Sequence, residues 1–184
     1  KHPHLFKMIV EAEKQHFLKA KEEGCAFEIE EDVEEMNLAV NEVFAELKRE
    51  EEEISSRKYD PHPLANLYIT YDKMLAAVSK AMQKLGKLRE KISAQLIPKK
   101  REYRKKYGTG YFTVKKVRNR QKIQYSYVIY RTLEGKDIYV DDETAKLYLL
   151  FMKVKEKTMF LKEHYENIWW KKKHLEDYAP TPLE

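Results

Sequence analysis

GYFTVKKVRNRQKIQYSYVIYRTLEGKDIYV, residues 110–140, is the stretch on which the fold turns. Its apolar and polar residues alternate with a period of two, and it is rich in Val, Ile, Tyr, Phe and Thr. Both features are the mark of half-buried strands. A tight turn at Asn119-Arg120 puts Arg118 opposite Gln121, Lys116 opposite Ile123, Val114 opposite Tyr125 and Phe112 opposite Tyr127. A four-residue turn, Thr132–Gly135, puts Ile129 opposite Ile138 and Tyr127 opposite Val140. One face of this three-stranded meander then carries Phe112, Val114, Ile123, Tyr125, Tyr127, Ile129, Ile138 and Val140, all apolar or aromatic. The opposite face carries Tyr111, Thr113, Lys115, Lys122, Gln124, Ser126, Tyr130 and Tyr139. A slip of one residue exchanges the two faces, so the register is a sharp expectation.

On both sides of this segment the period changes to that of a helix. Val33, Met36, Val40, Val43, Leu47 and Ile54 lie on one track after Asp32, a candidate cap. Tyr59-Asp60-Pro61-His62-Pro63 breaks that helix. Leu64, Leu67, Tyr71, Met74, Val78, Ala81, Leu85, Leu88 and Ile92 form the seam of a second helix from Pro63 or Leu64 toward Tyr107, with Pro98 expected to kink or divide it near Ala94. After the strands, Asp141 or Asp142 caps a helix whose core track is Leu147, Val154, Leu161 and Ile168, widened by Phe151 and Tyr165. Pro3–Glu23 reads as an earlier helix, and Cys25–Glu31 is ambiguous between helix and strand. The expected fold is mostly α with a small antiparallel β insert. Three or four helices form an elongated bundle or antiparallel coiled coil, and the meander lies between the two longest. Residues 3–58 form an acidic helical pair, 63–178 the helix–meander–helix unit, and 179–184 a tail.

Charge follows the same division. Residues 99–136 hold thirteen Lys and Arg against Glu102 and Glu134, whereas Glu11–Asp60 holds seventeen acids against seven bases. The net charge of +5 conceals this separation. A concentrated basic region attracts polyanions to one place. Lys99, Lys100, Arg101, Arg104, Lys105 and Lys106 are more cations than a helix C-terminus needs for its dipole. Lys115, Lys116, Arg118, Arg120 and Lys122 continue the charge into the hairpin, where Lys also protects sheet edges. A two-stranded ribbon fits the major groove of DNA, and Arg118, Asn119 and Arg120 at its tip offer base-reading chemistry, with Gln124 a further nucleic-acid-binding candidate on the outward face. Tyr111, Tyr130 and Tyr139 are candidates for stacking on bases. Trp169 and Trp170 are expected to divide, one into the core and Trp170 as a protein-contact anchor.

Catalytic and metal chemistry find little support. Glu13 and His16 have the E-x-x-H spacing of carboxylate-bridged bundles, but no second copy exists. Gly108-Thr109-Gly110 lacks the Lys-Ser/Thr ending of a phosphate loop. Cys25 is the sole cysteine, has no basic neighbours in sequence and sits before acids, and cannot form an internal disulfide, which points to a reducing, intracellular setting. No apolar run is long enough to span a bilayer. The reading expects no enzyme, no cofactor and no metal. It expects a nucleic-acid-binding protein, DNA slightly favoured, with a homo-oligomer or protein partner through the helices. In topology alone, helix, β-segment and helix over 63–178 resemble the layout of prefoldin subunits. That likeness implies a coiled-coil scaffold, adaptor or holdase as the alternative. A third reading has the acidic helices inhibit a nucleic-acid enzyme.

Overall fold

The structure is a computed structural model. It describes residues 27–120 and 122–178 of the chain, and the backbone alone for 27–32, 117–119, 122–126 and 178. The expected helix Pro3–Glu23, together with Cys25 and the tail, lies outside the described residues. The elements in chain order are α1 (Phe27–Ser56), α2 (Pro63–Tyr107), β1 (Gly110–Asn119), β2 (Lys122–Thr132), β3 (Asp137–Tyr139) and α3 (Asp142–Tyr178). The protein is mostly α with a three-stranded antiparallel sheet between its two longest helices. Among the described residues no helix is long and apolar enough to cross a membrane.

Two expected helix boundaries change, and the start of α2 has a local cause. α1 begins at Phe27, so Asp32 lies inside the helix rather than capping it. At α2, Pro63 takes the first helical position, where its missing N–H costs nothing. The preceding turn is held by Asn66 Oδ1, which accepts from the Tyr59 N–H at 2.6 Å and the Asp60 N–H at 3.3 Å. His62 Nδ1 accepts from the Ala65 N–H at 3.4 Å and acts as the cap. Helix α2 is not divided at Pro98 but continues through it. Proline deprives the Ala94 carbonyl of its helical donor, and since both residues are exposed, water can replace it.

The chain divides into two compact units. One comprises Met36–Glu90 and Lys153–Glu184 and is a three-helix bundle over its described part. Met36, Val40, Val43 and Leu47 of α1 are buried, as are Leu75, Val78, Ala81 and Leu85 of α2 and Val154, Leu161 and Ile168 of α3. These are mostly the positions that the helical period predicts. Leu64 and Leu67, expected on the α2 seam, are exposed instead. Polar pairs fix the directions. Glu46 meets Lys84 at 2.6 Å and Glu50 meets Lys80 at 3.2 Å, so α1 and α2 run antiparallel. Lys153 donates to Asn41 at 3.0 Å and His164 Nε2 lies 2.8 Å from Glu51, so α1 and α3 run parallel.

The other unit comprises Lys1–Glu35, of which 27–35 are described, and Lys91–Met152. Its described core includes Ile92 and Leu96 of α2, Phe112, Val128 and Tyr130 of the sheet, and Leu147 and Leu150 of α3. The sheet has order β1-β2-β3, but its register differs from the expectation. Phe112 pairs with Tyr130, Val114 with Val128 and Lys116 with Ser126. β1 runs on to Asn119 opposite Lys122, so the turn begins later than expected, and a β-bulge between Val117 and Arg118 shifts the pairing again. The combined shift is odd, so the faces change over. The β2–β3 turn does form at Thr132–Gly135: the Gly135 N–H donates to the Thr132 carbonyl at 2.9 Å and Gly135 has φ +87°. Its pairing, however, is Ile129 with Tyr139 and Tyr130 with Ile138. Phe112, Val114, Val128, Tyr130 and Ile138 therefore share one face. Tyr111, Thr113, Lys115, Tyr127, Ile129, Arg131 and Tyr139 share the other. Residues Tyr127 to Tyr130 are all buried, so β2 is covered on both sides.

Candidate nucleic-acid interface

The basic end of α2 is held in place by a latch. Tyr103 donates its hydroxyl hydrogen to Asp141 Oδ1 at 2.6 Å, and the Asp141 N–H donates back to the Tyr103 hydroxyl at 3.0 Å. Asp141 also caps α3: its Oδ2 accepts from the Thr144 N–H at 3.1 Å and its Oδ1 from the Thr144 hydroxyl at 2.7 Å. Burial alone would raise the Asp141 carboxyl, but these hydrogen bonds outweigh it and hold the carboxyl below its usual range. Burial, and then the carboxylate beside it, push the Tyr103 hydroxyl upward. The Tyr103 ring packs against Phe112, Tyr130 and Tyr107 at centroid separations of 5.5, 5.6 and 5.9 Å. Lys99 Nζ lies 2.8 Å from the buried Glu143 carboxylate, which holds the ammonium charged. Lys99 is thus a structural cation, and Glu143 is its buried partner.

The remaining cations point outward. Lys100, Arg101, Arg104 and Lys105 are all exposed. At about 100° per residue they fall within an arc of about 140°, and Lys99 and Tyr103 lie on the opposite side of the helix. Lys106 is exposed on a different side, with Nζ 5.3 Å from the Tyr107 ring centroid. Glu102 is exposed among them. In the hairpin, Lys116 and Arg120 are exposed, and Arg120 has φ +50° at the turn. Lys115 is half-buried, with Nζ 3.5 Å from Asp137 Oδ2. Arg131 Nε donates to Asp137 Oδ1 at 2.8 Å, and this guanidinium holds the Asp137 carboxyl below its usual range. Lys115 and Asp137 therefore belong to the sheet's own bonding. For Arg118, Asn119, Lys122 and Gln124 the backbone is described: Arg118 pairs with Ile123 and Asn119 with Lys122.

The aromatic candidates separate. Tyr111 is 46% exposed. Tyr130, expected to face outward, is fully buried, and its hydroxyl donates to the Gly108 carbonyl at 2.6 Å. The changed register explains this, since it turns Tyr130 to the Phe112 side. Tyr139 is half-buried and stacks on Tyr127 at 5.6 Å. Trp169 and Trp170 do not divide between core and surface: they are 41% and 53% exposed, because Ile168 takes the core position on that turn. The latch was only half legible. Asp141 announces itself as a cap, but nothing in the local sequence points to Tyr103.

Comparison of the chain with protein-family models, with curated proteins and with solved structures finds no match.

Proposed function

We propose that this protein binds nucleic acid through the basic end of α2 and the β1–β2 hairpin, as a binding protein rather than an enzyme. The observation that carries this reading is the exposed arc of Lys100, Arg101, Arg104 and Lys105 on a helix end pinned from behind by Tyr103 and Lys99. Cations on a fixed backbone meet phosphates without first ordering the chain that carries them. Lys116 and Arg120 extend the charge along the hairpin. The ribbon's fit to the major groove gives DNA the slight preference.

Fluorescence anisotropy with a labelled duplex across a salt series tests the reading. Neutralising about six phosphates gives a slope of log affinity against log salt of about −5. Charge reversal at Lys100, Arg101, Arg104 and Lys105 together is expected to flatten that slope and weaken binding at every sequence. Absence of binding at low salt, or full affinity in the reversed variant, sinks it.

A second reading, an adaptor or scaffold acting through protein contacts, is favoured by a different surface. Met159, Phe160, Trp169 and Trp170 are all exposed on α3. Aromatic residues and Met are enriched where proteins meet.

A further inference from the structure

We infer that the turn following α2 is a site for unpaired nucleobases. This inference rests on the nucleic-acid reading and names the form of nucleic acid it takes. Gly108, Thr109 and Gly110 connect α2 to β1 and carry an exposed ring on either side: Tyr107 is 37% exposed and Tyr111 is 46% exposed. Across the sheet, the Leu133 N–H donates to the Thr109 carbonyl at 3.1 Å. That bond continues the β1–β2 ladder, in which Tyr111 pairs with Arg131. Leu133 is the first turn residue after β2, two positions past Arg131, the partner of Tyr111. Leu133 is 75% exposed, an apolar side chain left in water at this end of the sheet.

The turn is firmly built. Gly108 takes φ +91°, and its N–H donates to the Arg104 carbonyl at 2.9 Å while its carbonyl accepts from the Tyr130 hydroxyl. At Gly110 an added Cβ would stand 2.4 Å from the Arg131 carbonyl oxygen, so the two backbones meet there with no room for a side chain. Tyr111 is set on β1 by its cross-strand partner Arg131, whose guanidinium is held first by Asp137. Tyr107 stacks on Tyr103 of the latch.

Duplex DNA offers phosphates and groove edges but no open base faces. Exposed rings beside cations instead suit single strands, whose bases stack on aromatic side chains irrespective of sequence. Arg104 and Lys105 precede the turn and Lys136 lies at the end of the β2–β3 turn that Leu133 bonds to Thr109, all three exposed, so a strand crossing Tyr107 and Tyr111 meets cations on its way. Glu134 is exposed next to Leu133 and opposes strand approach on that side.

The experiment compares four labelled probes at fixed low salt: oligo(dT), oligo(U), an abasic deoxyribose–phosphate oligomer of equal charge, and a duplex. Affinity for the base-bearing strands is expected to exceed that for the abasic oligomer by about 5- to 150-fold. Tyr107→Ala with Tyr111→Ala is expected to remove that excess and leave duplex affinity within about twofold. Tyr107→Phe with Tyr111→Phe keeps the rings, is expected to retain the excess, and serves as the folding control. Equal affinity for abasic and base-bearing strands, or an excess unchanged by the double alanine variant, overturns the inference and leaves the phosphate-binding reading standing. Failure to bind any of the four probes overturns both.

Discussion

Removing one oxygen atom tests the latch behind the basic helix end. Tyr103→Phe keeps the ring against Phe112 and Tyr130 but deletes the hydroxyl that both donates to Asp141 Oδ1 and accepts from the Asp141 N–H. The first bond has a charged acceptor and is worth about 1.5–3 kcal/mol, and an N–H left without an acceptor costs about 1–3 kcal/mol when water cannot reach it. Asp141 is only half-buried, so solvent recovers part of this, and the expected net loss is about 2–4 kcal/mol. In urea, with a slope of about 2 kcal/mol/M, the midpoint falls by about 1–2 M, read by circular dichroism at neutral pH. The pH dependence supplies a second check. The folded Asp141 carboxyl lies below its unfolded value, so its contribution is present above about pH 3.9 and is lost as pH falls through the lowered folded value. Part of that depression comes from Tyr103, so the gap between the two proteins is expected to narrow below about pH 4. A loss under about 0.5 kcal/mol refutes the assigned bonds, because it is the size of an ordinary surface change. A gap that stays constant or widens in acid refutes the linkage.

Two further outcomes test the packing. Gly110→Ala forces a Cβ against backbone at the start of β1 and is expected to cost about 1–3 kcal/mol or more, whereas Gly108→Ala meets open space and carries only the cost of its positive φ, about 1–2 kcal/mol. Thermal unfolding of the two variants ranks them, and Gly108→Ala as the more damaging would contradict the close approach. Leu161→Ala in the three-helix unit is expected to lose about 2–5 kcal/mol, while Met159→Ala, two residues away and exposed, stays within about 0.5 kcal/mol of the parent in urea unfolding.

The helices were legible because their burial is one-sided. Leu147, Val154, Leu161 and Ile168 recur at seven residues and all are buried, and Met36, Val40, Val43 and Leu47 behave alike. The strands were legible as strands, but their register was not. Alternation identifies a register only when one face is wet. Here Phe112, Val128 and Tyr130 pack on one side and Tyr127 and Ile129 on the other, so two registers yield apolar faces of similar quality. The bulge at Val117 and Arg118 then selects one of them, and no local residue type announces it. Of the proposed contact residues, the exposed arc on α2 followed from its position past the last core residue, Leu96. Lys99 and Lys115 share the charge of their neighbours, and their acidic partners Glu143 and Asp137 are distant in sequence, so their bonding is visible only in three dimensions.

The double-sided burial of β2 also shapes how this sequence can drift. A strand with one wet face accepts polar replacements at every second position, and its permitted substitutions pulse with a period of two. Along Tyr127, Val128, Ile129 and Tyr130 that pulse is silenced, because each side chain is enclosed whichever way it points. Among descendants of this chain, β1 is free to record the familiar alternation while the middle of β2 stands as an unbroken conserved block. That block would resemble the sequence of a buried parallel strand, although its neighbours on both sides run antiparallel to it.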